Sequence, residues 1–265
     1  MIVDWIYNHP TWMWGNILVW GATLLACLGL AAFHPFVDTG VRRTHNDLAG
    51  FSIQIISVVY AVLVAFIAVV TWGSFSAAEG IVQEEAGYMG SLYRDTKGFP
   101  EQVGDPMRKM LKAYAQSVVE EEWPVQQQGH PPSMGWKPLH QLHRQLVSFD
   151  PQTRGQAVIQ ADFLRTMNEL YKARQARLTA AAGHIPDVIW WIIAIGAVLT
   201  IVFSYLFGFE SFRLHLTMTG AIAASLTLVI VLIIALDWPF RGDVSVSPQA
   251  YIDVAHSWDV PGEKD

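Results

Sequence analysis

The sequence predicts an all-α integral membrane protein, with four transmembrane helices arranged as two hairpins around a helical extramembrane insert. Three observations predict it. Apolar runs occupy Ile17–Pro35, Phe51–Trp72, Ile189–Phe207 and Leu216–Leu236, each near the roughly twenty residues that cross the hydrocarbon of a bilayer. Scarcely a formal charge lies inside them, and a polar stretch of mixed charge separates the second from the third. Runs such as ISVVYAVLVAFIAVVTW lack the alternation of a barrel strand. Helices are then the structure that satisfies backbone polar groups in lipid. The expected division is a first hairpin over residues 1–73, the insert over 74–184, a second hairpin over 185–240 and a polar C-terminal tail over 241–265.

The N-terminal stretch MIVDWIYNHPTWMWGN has no Lys or Arg. It therefore lacks the basic start of a signal peptide, and the first span is expected to remain in the mature protein. The connection Phe36–Ala49 carries Arg42 and Arg43. In THNDLAGF, Asn46 and Asp47 are helix-capping types that open the second span. From Ser74 to about Thr96 the sequence continues the second span without proline, so one helix is expected to run out of the apolar region into the insert.

The rest of the insert reads as helical. Asp105-Pro106 is an N-cap followed by proline at the first helical position. Met107, Met110, Leu111, Tyr114 and Val118 follow at helical spacing, and Pro124 is the expected stop. Pro124–Ser133 reads as loop, and a shorter helix is expected from about Pro138 to Val147. Asp150-Pro151 starts the last helix, with apolar Val158, Phe163, Leu164, Met167, Leu170 and Tyr171 and a stop near Gly183. In the third span Gly196, Thr200, Ser204 and Gly208 recur every four residues, and Gly220 and Ala224 do so in the fourth. Small residues at this spacing permit close packing of helices in lipid. LDWPFRGD closes the fourth span, with Asp237 near Arg241 as an ion pair or turn lock.

Composition narrows the function classes. Of 265 residues 52% are hydrophobic and 15% charged, below the roughly 25% charged residues of soluble domains. A net charge of −6 lacks the basic face of a nucleic-acid binder. Residues 75–184 hold 12 of the 17 Lys and Arg and 12 Asp and Glu, a mixed-sign solvated surface. The one cysteine, Cys27, leaves no disulfide within the chain. Trp12, Trp14, Trp72, Trp190, Trp191 and Trp238 stand where interfacial aromatic belts are expected.

The second span is two-faced. Asp47, Gly50, Gln54, Ser57, Ala61, Val64, Ala68 and Thr71 follow one helical face, and all but Val64 are small or polar. Val59, Leu63, Phe66 and Val70 lie opposite. Polar side chains in a membrane face a bundle interior or a water-filled path. Around an axis of several copies, Asp47, Gln54, Ser57, Ala61, Val64 and Thr71 are pore-lining candidates, and the bulky set is a hydrophobic constriction that gates by dewetting. The competing reading is that Gln54 and Ser57 bond to neighbouring helices. Arg42, Arg43, Glu84 and Glu85 are candidate charges at the pore mouth, against the plainer reading of Glu79, Glu84 and Glu85 as solvated helix charge. The Glu120–Glu122 run reads as surface, as does the pair His140 and His143. No metal, cofactor or catalytic set is expected, since the sequence has no phosphate-cradling Gly loop, HExxH or nucleophile elbow.

The motifs THNDLAGF, VVYAVLVAF, EEAGYMGSLYRD, AYAQSVVEEEWP, FSYLFGFE and ALDWPFRGDVSVSP, from about Asn46 to Pro248, closely resemble the bacterial bestrophin-like domain family, membrane proteins likened to bestrophin anion channels. The resemblance implies a multi-pass protein of the bacterial inner membrane, a homo-oligomer with five copies, and an anion pore lined by the second helix with Val59, Leu63, Phe66 and Val70 at its neck. No acidic calcium clasp of the bestrophin kind is present, and the aromatic-rich neck survives only in Phe66. The resemblance puts the insert in the cytoplasm, as do Lys172, Arg174 and Arg177 beside the third span. Arg42 and Arg43 argue for the opposite orientation.

Two functions follow as expectations. One is an oligomeric ion channel whose partners are the bilayer, other copies of itself and ions. The other is a non-conducting membrane scaffold or sensor whose insert binds a protein partner.

Overall fold

The structure is a computed structural model that describes residues 2–130, 132 and 135–258. Ser133, the far end of the loop expected from Pro124, and residues 259–265 of the expected tail lie outside the described residues. No strand occurs among the described residues. The α-helices are α1 (Ile2–Tyr7), α2 (Thr11–Phe33), α3 (Thr39–Thr44), α4 (Asn46–Asp95), α5 (Glu101–Gln116), α6 (Trp123–Gln127), α7 (Trp136–Ser148), α8 (Arg154–Ala182), α9 (Asp187–Ser204), α10 (Phe212–Asp237) and α11 (Gln249–Ser257). Four of them, α2, α4, α9 and α10, are long and apolar enough to cross a membrane. The chain divides into two compact units. One comprises Met1–Gly73, His184–Asp237 and Gly242–Val244, and the other Ser74–Gly183, Trp238–Arg241 and Ser245–Asp265.

In the first unit, small residues let helices approach closely. Along α2 and α10, Gly15 faces Val231, and Gly220 lies against Cys27 and Thr23. The Cys27 thiol donates to the Leu216 carbonyl at 3.7 Å. Tyr205, just past α9, crosses to α2. Its hydroxyl donates to the Ala26 carbonyl at 2.8 Å, and its ring edge occupies the space that a side chain at Gly29 would need. Thr200 and Ser204 turn their hydroxyls back to Gly196 and Ile201 of their own helix at 2.8 and 2.6 Å. The small-residue stripe of the third span thus packs helices.

The two connections at the far ends of these helices are tied together. Asn46 is not the N-cap its type suggests. Its side chain makes two hydrogen bonds with Gly208, donating to the carbonyl at 3.0 Å and accepting from the N–H at 2.8 Å. Asp237 accepts the Ile185 N–H at 2.7 Å.

The second unit is a helical core. Met89 and Leu92 of α4, Met107, Leu111 and Tyr114 of α5, Leu139, Leu142 and Leu146 of α7, and Phe163, Met167 and Leu170 of α8 are buried together. Val158, expected in this stripe, is exposed. Proline misled the boundaries twice. The fifth helix starts at Glu101, behind Pro100 at the N-cap, and carries Pro106 inside it. Pro124 does not stop the chain, because it falls in the first turn of α6, where a missing N–H costs no bond. A π-helical turn, Ser117–Glu122, joins α5 to α6. The last long helix begins at Arg154, four residues after Asp150, because Thr153 caps it by accepting the Gln156 N–H at 3.1 Å. Part of the expected tail is ordered as α11 and buries Tyr251 in this core.

Candidate pore helix

Tyr60 sets the rotation of α4 within the first unit. Its hydroxyl donates to the Ile193 carbonyl at 2.9 Å, and its ring lies on Gly196. Tyr60 and Val64, 7% and 6% exposed, join Ile193 and Ile233 in a small apolar core, with Leu63, Ile67 and Ala68 packed against it. Thr71 is buried on the same side and donates to the Ile67 carbonyl at 2.8 Å. A helix repeats every 3.6 residues, so fixing Tyr60, Val64 and Thr71 inward turns Ile55, Val62 and Val69 outward.

The sequence-derived candidates separate accordingly. Val64 and Thr71 are corrected: they pack against the chain's own helices, because an isopropyl group and a self-bonded hydroxyl fit an apolar contact. Ser57 is half-buried beside them, while Gln54, Ala61 and Asp47 are exposed on one flank. Val59, Phe66 and Val70 are exposed on the other flank, and Leu63 is half-buried. The centre of the open face is Phe51, Ile55, Val62 and Val69, with Val62 66% and Phe66 69% exposed. Ile55, Val62 and Val69 escaped the sequence reading because nothing in the run itself marks which apolar side packs. The signal was Tyr60, the one aromatic hydroxyl in the run, which needs a partner when buried.

The four candidate mouth charges have four different settings. Arg43 is exposed and pairs with Glu210 at 2.8 Å. Glu84 is exposed. Arg42 is buried. Glu85 is corrected from a mouth charge to a core residue of the second unit, fully buried and ion-paired.

Glu85 belongs to a compact charge cluster. Arg177 donates through Nε and Nη2 to Glu85 at 2.8 and 3.2 Å, through Nη2 to Glu122 at 2.9 Å and through Nη1 to Gln126. Arg174 grips Glu122 with both terminal nitrogens at 2.8 and 2.5 Å. The Tyr114 hydroxyl donates to Glu85, and the Gly135 N–H donates to Glu122 at 2.7 Å. Arg174 lies 4.6 Å over the Trp136 ring and Arg177 5.8 Å over that of Trp123. Two carboxylates and two guanidinium groups cancel in charge, so the cluster survives where a lone ion would not.

Glu122 is corrected as well, since the Glu120–Glu122 run divides into two exposed residues and one buried. The signal for its partners was present. Phe163, Met167, Leu170, Arg174 and Arg177 continue one stripe of α8 at steps of three and four.

The protonation chemistry follows from this packing. Burial opposes the Glu122 charge, but the hydrogen bonds and charges of Arg174 and Arg177 outweigh it and hold the carboxyl below its ordinary range. Burial, then the Glu85 charge, push the Tyr114 and Tyr251 hydroxyls well above theirs. Both tyrosines stay neutral, and the Tyr114 hydroxyl serves as a donor to Glu85. Among the described residues no three His, Cys, Asp or Glu side chains converge as metal ligands.

The family model described as Bestrophin-like domain matches residues 20–251. No curated protein matches. Two crystal structures of point mutants of a bacterial bestrophin homolog from Klebsiella pneumoniae resemble this fold, each with a TM-score of 0.65 and 12% sequence identity. They cover 92% and 90% of this chain and 99% and 98% of their own. Identity this low shows a shared fold.

Proposed function

The chain belongs to the bestrophin-like domain family, and on that premise we propose that it is an oligomeric ion channel of the bacterial cell membrane whose pore is bordered by α4. In this reading the spans form two hairpins, symmetry-related copies of α4 surround one path, and the second unit of each copy forms an extramembrane vestibule. Val59, Leu63, Phe66 and Val70 form the constriction together with Val62. Gln54 and Ala61 line the path on the polar flank, with Ser57 half-facing it.

One observation carries the reading. Of the four spanning helices, α4 alone continues as an unbroken helix of 50 residues, while a row of large apolar side chains on it stays uncovered by its own subunit. Bulky apolar rings at a narrow point exclude water and gate ions. Membership of a family likened to channels supports the same conclusion. The test is purified protein in planar bilayers. The reading expects a conductance that Phe66→Ala increases and that a polar residue at position 66 increases further. A protein that folds and inserts but passes no current contradicts it.

A further inference from the structure

Each buried arginine of the second unit's charge cluster is matched by a carboxylate. Arg42, on α3 in the first unit, is not. It is 4% exposed. Its Nη1 donates to the Tyr205 carbonyl and its Nη2 to the Thr39 hydroxyl, both at 3.3 Å, and its Nε is buried with no partner. The guanidinium lies 5.9 Å from the Phe33 ring centre. The acidic side chains of the two connections are used elsewhere or face away. Asp38 accepts the Gly40 N–H at 2.7 Å, Glu210 holds Arg43, and Asp47 is exposed in the first turn of α4. The titratable neighbours, His34 and His215, add no negative charge. The His215 ring bonds to the Ser204 carbonyl at 2.9 Å.

Arginine cannot shed its proton to escape this setting, and a buried charge without a partner is a large burden on the fold. Two of the guanidinium N–H groups are used, in long bonds to neutral oxygens, and the Nε–H has no partner. The fork geometry of those donors matches phosphate and carboxylate oxygens. The position adds a second constraint. Arg42 touches Phe33, the last residue of α2, and Tyr205, just past the end of α9. These helices are long and apolar enough to span a membrane, so their ends lie where phospholipid headgroups lie.

We infer that Arg42 is completed by a phosphate group held at the ends of the spanning helices. An anionic phospholipid headgroup and free inorganic phosphate share that chemistry. The inference stands independently of whether the protein conducts.

The test uses the full-length protein in nanodiscs of phosphatidylcholine, with either phosphatidylglycerol in the lipid or inorganic phosphate in the buffer as the probe. The wild type is expected to show a saturable rise in thermal midpoint with phosphatidylglycerol if the ligand is a headgroup, or with inorganic phosphate if it is a free ion. Arg43→Gln, which removes an exposed and already paired charge, should respond as the wild type does. Arg42→Gln should not respond, and Arg42→Lys should need about tenfold more probe, the scale of a lost charge-assisted hydrogen bond. A wild type indifferent to both probes overturns the inference. So does an Arg42→Gln protein that responds normally. If Arg42→Gln does not fold, an Arg42→Lys response equal to the wild type is the overturning result.

Discussion

A methyl group placed on Gly196 would fall 2.3 Å from the ring carbons of Tyr60. That contact, with the bond from the Tyr60 hydroxyl to the Ile193 carbonyl, fixes α4 against α9 and thereby decides which side of α4 is left open. The glycine is needed for its lack of a side chain. Its backbone is ordinary helix.

Gly196→Ala is therefore expected to destabilise the protein by about 1–3 kcal/mol, the usual cost of overpacking. Tyr60→Phe keeps the ring and loses one bond, costing about 1 kcal/mol. Thermal unfolding in detergent measures both. Adding Tyr60→Ala to Gly196→Ala should cost less than the sum of the single changes, because the collision disappears.

The charge cluster of the second unit gives a stability prediction of larger size. Glu122→Gln or Arg177→Met leaves a charge buried without its partner, at about 3–5 kcal/mol. Removing Glu122 and Arg174 together should cost less than the two single losses added. Urea or thermal unfolding of each variant decides this. Exposed Glu121→Gln, next in sequence, should change little.

The same cluster sets the acid limb of stability. The Glu122 carboxyl titrates lower in the folded protein than its ordinary value of 4.5. Its contribution is fully present above that value and is lost as pH falls through the lower folded one. Unfolding midpoints measured from pH 7 downward should stay level on this account and drop below about pH 4.5. Glu122→Gln should flatten the drop while lowering the plateau.

Gly208 meets backbone where Gly21 meets nothing. A Cβ at residue 208 would lie 2.4 Å from the Arg43 nitrogen and 2.9 Å from the Arg42 carbonyl carbon, while one at residue 21 would meet no atom of the described residues within 4 Å beyond its own stretch of helix. Backbone atoms cannot rotate away. Gly208→Ala should lower the thermal midpoint by several degrees and break the Asn46 clasp, whereas Gly21→Ala should be neutral or stabilising.

Much of the helical layout was written in local patterns. Apolar length announced α2, α4, α9 and α10, and the absence of proline after Trp72 announced that α4 runs on to Asp95. Gly183 marked the end of α8. What stayed hidden depended on partners distant in sequence. Glu85 meets Arg177 across 92 residues and Glu122 meets Arg174 across 52, so a run of three glutamates concealed one that is buried. The inner side of α4 was equally hidden. Val64 and Thr71 sit on a small, polar-looking stripe, yet both are buried, Val64 in one apolar core with Ile193 and Ile233. Proline at 106 and 124 misplaced two helix ends because a single residue type does not say in which turn it falls.

Cysteine accessibility on the conducting protein tests the central claim most directly. In a Cys27→Ser background, Val62→Cys and Phe66→Cys are placed on the open face of α4, and Leu25→Cys on the exposed side of α2. A charged, membrane-impermeant thiol reagent is expected to change the current through the Val62→Cys and Phe66→Cys channels and to leave the Leu25→Cys channel unaltered. Current unaffected by modification at 62 and 66, or failure of the reagent to reach either position in an open channel, would contradict a pore bordered by α4.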